Sequence, residues 1–317
     1  MAIIKRIIGN KEYYYLEEQF RIIDKLRKFR KYLGSKKPSK QEQIDIENQF
    51  LDTIIARLTS SSNIQVKYIS KKQLIQILLF NQKYFNKYNK LTPTIKNKLN
   101  IDNIVLFTLT TLTTEDIDVS LEDVINAQKK DKNLNQRELI CKNMLKGIDL
   151  IKKGKTKIDI NFIKNLHKTI MADFETKTPG LFRTREVHIY KKHTKDILSA
   201  EIKFQPPAYG LVVDKLNKLI EWYNSSDLNN FEKAILLHFE IYKIHPFLDG
   251  NKRVCRLLFN KVLLDNNFPL VNISDNRTKY FDSLLSSVEE NNPAHMADFM
   301  VNAYLKQVKT FIGKDES

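Results

Sequence analysis

From Ser39 onward, apolar residues return every three or four positions for most of the chain, the spacing that lines one face of an α-helix. The segments around 71–90, 120–130, 136–152, 159–172, 208–224 and 230–244 each carry it, joined by short polar connections. Ser39 with Glu42 forms a capping box, after which Phe50, Leu51, Ile54, Ile55 and Leu58 share a face. One interruption stands out: residues 180–207 alternate polar and apolar in two short runs before Pro206-Pro207, as an isolated hairpin would. Ahead of Ser39, residues 2–9, the Gly9-Asn10 turn, and residues 11–20 and 25–34 read as strands. A mainly α protein with one β-flap and a small N-terminal β-containing module is expected.

The chemistry must fit a glycine-poor chain. With eight glycines in 317 residues, neither a P-loop nor a dinucleotide-binding glycine turn is present. Cys141 and Cys255 are far apart and lack metal-ligand companions, which speaks against a disulfide scaffold or a zinc site. Lys and Arg outnumber acidic residues 53 to 37, but they are spread along the chain, so nucleic acid is not expected as a partner. The N-terminal apolar run is too short for a signal peptide and no stretch approaches a membrane span, so a cytoplasmic protein without membrane contact is expected.

The most informative stretch runs from His245 to Arg256, HPFLDGNKRVCR, between two strongly apolar helical runs. Pro246 and Gly250 make it a turn between buried helices, and Gly250 lets backbone approach a ligand closely. The helix opening near Asn251 offers free N–H groups and a positive dipole end to an anion. Arg253, Arg256 and Asn260 share a stripe of that helix, leaving Val254, Leu257, Leu258 and Val262 for the core. His245 can take a proton near neutral pH, and Asp249 is a hard oxygen ligand suited to Mg²⁺. A base, a metal ligand and an anion cradle are what transfer of a phosphorus group requires.

This segment resembles the signature of Fic proteins, His-x-Phe-x-(Asp/Glu)-Gly-Asn-(Gly/Lys)-Arg-x-x-Arg, at every specified position. Leu166-His167, Pro179-Gly180-x-Phe182-Arg183, Gln205-Pro206-Pro207 and His238-Phe239-Glu240 are similar to further family elements, so the resemblance covers about 110–300. It implies a Fic-type helical bundle using ATP and Mg²⁺. His245 would be the general base that activates a target Ser, Thr or Tyr hydroxyl, and Phe247 would anchor the loop. Asp249 would hold Mg²⁺; Gly250, Asn251 and Arg253 would bind the α and β phosphates, and Arg256 the γ-phosphate. Lys252 joins the ATP-binding set, and Tyr280, near Arg277 and Phe281, would lie on the nucleoside side. The hairpin from Val187 through Ile189 to Phe204 would resemble the flap that pairs edge-on with the target protein.

Upstream, Thr111 to Asp116 is similar to the family's inhibitory motif, (Ser/Thr)-x-x-x-Glu-(Gly/Asn), with Asp116 a departure at the last position. Glu115 would pair with Arg256 and exclude a productive γ-phosphate; otherwise it would be an ordinary acid of a helix's first turn. Expected divisions are a basic β-module at 1–38, a helical region at 39–108, a Fic domain at 109–305 with the inhibitory helix at its start, and a tail at 306–317. The resemblance implies a protein adenylyltransferase autoinhibited by Glu115, with removal of AMP as a related activity and room for a homodimer. Lys252 also fits the Doc branch, a phosphotransferase, although that branch lacks the arginine at 256. An inactive module binding nucleic acid or a partner is the third alternative.

Overall fold

The computed structural model describes residues 1–22, 25–154, 156–190, 202–273 and 277–313. Three antiparallel strands open the chain, β1 (Ala2–Ile8), β2 (Lys11–Ile22) and β3 (Lys25–Gly34), in the order β1-β2-β3. Ile3 faces Leu16 across the first pair, and the even positions Leu16 and Phe20 of β2 are fully buried, as period-two alternation requires of a one-sided sheet. That face meets α2 (Lys71–Tyr88), where the Gln82 side chain accepts from the Arg21 N–H at 2.9 Å and donates to the Gln19 carbonyl at 3.0 Å.

The rest of the described chain is helical apart from the flap strands. α1 (Lys40–Ser61) starts on the expected Ser39–Glu42 capping box, and Ser120–Asp123 forms another at α4 (Leu121–Lys129). α3 (Pro93–Thr114), α5 (Gln136–Lys152) and α6 (Ile160–Ile170) follow the same rule, with Thr92, Asn135 and Asp159 accepting from first-turn N–H groups. The boundary expected at 108/109 falls inside α3, and the one at 305/306 inside α11 (Ala294–Gly313). The apolar positions of α3 do not fall on one clean stripe, so periodicity alone does not mark this helix.

α7 (Val212–Ser225) leads to an antiparallel pair at the centre, α8 (Asn230–Ile244) and α9 (Asn251–Asp265). α9 is buried on nearly every side from Asn251 to Leu263 except at Lys252, so the stripe of Arg253, Arg256 and Asn260 lies inside the bundle. α10 (Arg277–Glu289) and α11 close the bundle, and Phe231 of α8, Phe259 of α9, Phe268 just beyond it and Tyr304 of α11 interlock edge-to-face. Two short strands, β4 (Ile189–Tyr190) and β5 (Ile202–Phe204), pair antiparallel as the flap; residues 191–201 of the expected hairpin lie outside the described residues. Val187 precedes β4, and Ile189 faces Phe204. Among the described residues no helix is long and apolar enough to cross a membrane.

Candidate active site

The His245–Gly250 loop joins the C-terminus of α8 to the N-terminus of α9, and both ends are left-handed: His245 has φ 49° and Gly250 φ 74°. Phe247 at its centre is fully buried, and its ring stacks on His167 with centroids 3.7 Å apart. The Asn251 amide donates to the Phe247 carbonyl at 2.8 Å and accepts from its N–H at 3.0 Å. The Asn251 side chain, expected on phosphate, therefore staples the loop, and what it offers an anion is backbone. Gly250 leaves α9 without a side-chain cap, so the first-turn N–H groups remain open to a ligand.

His245 is held in one neutral tautomer. Its Nδ1 lies 3.3 Å from the Tyr242 carbonyl, which can only accept, so Nδ1 carries the proton and Nε2 the lone pair. Burial, against the pull of that carbonyl and helped by the charges of Lys252 and Arg183, lowers its pKa to about 4, leaving a neutral imidazole at physiological pH.

Two arginines converge on the same helix tip. Arg253 is 2% exposed, and its Nε and Nη1 have no hydrogen-bond partner; Arg256 is fully buried, and its Nε likewise has none. Unpaired buried guanidinium N–H groups are costly unless an anion completes them. The remaining donors of Arg256 are engaged: Nη2 donates to Glu115 Oε1 at 2.9 Å and to the Thr111 carbonyl at 3.0 Å, and Nη1 lies 3.4 Å from the Tyr280 hydroxyl. Lys252 Nζ takes the other Glu115 oxygen at 3.2 Å. Burial opposes ionisation of Glu115, but Arg256, Lys252 and Arg253 outweigh it and hold its pKa at about 2. The carboxylate thus sits on the arginine that a terminal phosphate would need.

Glu115 is not the first-turn acid that was the alternative reading. It is the C-cap of α3, the wrong end of a helix dipole for a carboxylate, and its cationic partners are what make the position favourable. Asp116 follows with φ 59°, the left-handed position that ends many helices and that glycine and asparagine occupy most readily. This accounts for the residue types of the inhibitory pattern and for tolerance of Asp116, which also pairs with Arg277 at 2.5 Å.

Comparison with known proteins agrees with this geometry. Residues 157–263 match the Fic/DOC family, a span that holds the whole loop and α9 as far as Leu263. That segment is a Fic domain by its family match. The chain is 26% identical over 174 residues to the protein adenylyltransferase fic-1 of Caenorhabditis briggsae, covering 52% of this chain and 32% of the relative. It is 31% identical over 153 residues to the protein adenylyltransferase Fic of Drosophila willistoni, covering 45% and 28%. The chain thus spans about a third or less of the curated relatives it matches. In fold it resembles a Fic-domain signalling protein of Bacteroides thetaiotaomicron, with TM-score 0.65, 20% identity and coverage of 75% of this chain and 95% of that one. Fic-1 of C. elegans, residues 134–508, aligns with TM-score 0.60 and 17% identity, covering 87% and 78%.

Within the Fic domain, two residues that sequence reasoning left without a role fix the loop. His167 accepts from the Gly180 N–H at 2.9 Å and donates from Nε2 to the Asp249 carbonyl at 3.0 Å, while burial lowers its pKa to about 4. Arg183, 3% exposed, donates from Nε to the His245 carbonyl at 2.8 Å and from its other nitrogens to the carbonyls of Arg185, Pro207 and Ile244. A guanidinium at the C-terminus of α8 meets the orphan carbonyls and the negative dipole end together. The signal was a buried arginine in an apolar setting, which spacing alone cannot show.

Tyr280 needs a correction. It is fully buried, its hydroxyl 3.0 Å from His238 Nε2 and its ring 5.5 Å from the Arg256 guanidinium, so it supports that arginine and offers no open face to a base. Helical geometry turns the next residue outward instead: half-buried Phe281 has Lys252 Nζ 4.7 Å and the Arg277 guanidinium 5.8 Å from its ring.

Gly250 admits no substituent, since a Cβ there would sit 2.8 Å from Met171 Sδ and 3.2 Å from His167 Nε2. The positive φ adds roughly 1–2 kcal/mol for any L side chain. Gly250→Ala is therefore expected to destabilise the chain by about 2 kcal/mol or more in thermal unfolding, with loss of nucleotide binding.

Proposed function

We propose that the chain is a protein adenylyltransferase that moves AMP from ATP to a Ser, Thr or Tyr hydroxyl of a target protein and is held back by Glu115. The observation that carries this reading is the set of unpartnered guanidinium N–H groups on Arg253 and Arg256 at the uncapped tip of α9, one loop away from a neutral His245. Phosphates complete these donors, and the triphosphate then lies beside the imidazole.

His245 Nε2 takes the proton of the target hydroxyl as its oxygen attacks the α-phosphorus. The bond from that phosphorus to the bridging oxygen of the β-phosphate breaks, and pyrophosphate leaves from the Arg253 and Arg256 donors. Asp249 is 44% exposed, and its Oδ1 accepts from the Gly250 N–H at 2.6 Å. Among the described residues no three ligating side chains cluster around it. One carboxylate beside phosphate oxygens is the usual setting of Mg²⁺, which would neutralise charge on the phosphates there.

The test incubates wild type, Glu115→Gly and a Glu115→Gly, His245→Ala double variant with a target lysate and ATP labelled at the α or the γ phosphate; label is read in the Glu115→Gly background, where the restraint on the site is removed. Protein-bound label from the α position, absent in the double variant, is the expected result; label from the γ position alone would instead identify a phosphotransferase. Removal of AMP from a modified target is a second reading, favoured by an ionised Glu115 on Arg256 and Lys252, a carboxylate that can accept from a water.

Arg183 acts through His245 as a positioning residue. Arg183→Gln is expected to lower kcat about 100-fold with the KM for ATP nearly unchanged, because a displacement near 1 Å suffices for such a loss. Arg183→Lys should not restore the rate, since one ammonium cannot reach the same fan of carbonyls.

A further inference from the structure

We infer that a cavity between α7 and α8, at the base of the flap, is a docking pocket for the target protein and takes a bulky apolar side chain flanked by carboxylates. This rests on the reading of the site as protein-modifying. The cavity is about 530 Å³, and Leu219, Trp222, Leu236 and Ile244 form much of its wall. Lys67, Lys215, Lys218 and Lys243 stand at its lining against one carboxylate, Glu240. Glu240 is already approached by Lys243 at 3.4 Å, leaving the other lysines unneutralised by any acidic lining residue. An apolar floor under an ammonium rim suits an apolar anchor with acidic neighbours, the anchor contributing affinity and the charges orientation.

Continuity with the reaction site says whose side chain this is. Phe204, the last residue of β5, and Gln205 and Pro207 beyond it line the cavity, so a target segment that pairs with the flap would lead into it. Ile244 lines it too and directly precedes His245, and Arg183 ties the Pro207 and His245 carbonyls together. The far wall is preformed: the buried Glu232 carboxylate accepts from the N–H groups of Lys67, Tyr68 and Ile69 at 2.8, 2.6 and 3.3 Å. A target could therefore be gripped next to the base through a rigid pocket, which limits the ordering cost of binding.

Trp222 is the sole tryptophan of the chain and reports on the cavity directly. The full chain would be titrated with an end-blocked Asp-Glu-Phe-Asp-Glu peptide, read by tryptophan emission and by anisotropy of a labelled copy. The expected result is saturable binding in both readouts, at least tenfold tighter than that of the Phe→Ala peptide or of Lys-Lys-Phe-Lys-Lys. Reversing the exposed rim in a Lys215→Glu, Lys218→Glu double variant should weaken binding at least tenfold while calorimetric ATP affinity stays unchanged. Equal binding of the Phe and Ala peptides, equal binding of the basic peptide, saturation by dodecanoate but not by the acidic peptide, or no response in either readout would each overturn the inference. Neither ATP nor His245 takes part in this binding, so its failure is distinguishable from failure of the labelling test.

Discussion

Glu115→Gly is expected to raise label transfer at least tenfold and, at the same time, to lower the melting temperature of the nucleotide-free chain by several degrees. The two effects share a cause. The carboxylate is 9% exposed and pairs with a fully buried Arg256. Removing one partner of a buried ion pair costs about 3–5 kcal/mol, because the other charge is left without compensation. The Thr111 carbonyl and the Tyr280 hydroxyl remain on Arg256 and soften the loss. The same vacancy is what a γ-phosphate fills, so ATP should raise the melting temperature of the variant more than that of the wild type, stabilising the variant by about 2.7 kcal/mol when present at a hundred times the variant's Kd. Differential scanning fluorimetry with and without ATP, beside α-label transfer, decides the matter. Lost stability with no gain in ATP affinity or transfer would leave Glu115 a structural acid only.

That experiment turns on a contact across 141 residues of sequence, and its legibility shows where reading by pattern stops. Signals that act within a few residues were plain: the capping box at Ser39 and the strands either side of the Gly9-Asn10 turn appear in the structure as expected. The spacing of the signature also located the loop and both arginines. Spacing could not show how deep they lie, because burial of α9 is decided by the helices that surround it. Glu115 follows a threonine-rich run with weak helix signals, so only tertiary structure reveals it as the end of α3. Arg183 reaches His245 across 62 residues, and its role is invisible until the flap base and the end of α8 meet. In the same way Tyr280 and Phe281 are neighbours in sequence with opposite surroundings, one closing the core and the other edging the cationic site.

His245→Ala is expected to reduce transfer by roughly 10²–10⁴-fold, the range for removing a positioned general base, with ATP binding retained. A more specific mark is the pH profile. An imidazole with a pKa of about 4 is already in its base form at pH 5.5, so the rate set by His245 should stay flat from pH 8 down to about 5 and fall only near 4. An ordinary histidine would lose half its activity near pH 6.5. Stability follows the same sign: His245 and His167 both have folded values lowered to about 4, so between 6.5 and 4 the unfolded chain binds more protons. The melting temperature should decline across that window as pH falls. Because chain unfolding and loss of base would then overlap, rates must be taken at a temperature well below the melting point at each pH. A rate that halves near pH 6.5 under those conditions would show an imidazole titrating as if solvated and overturn the burial-lowered value, whereas unchanged transfer in His245→Ala would overturn its role as base.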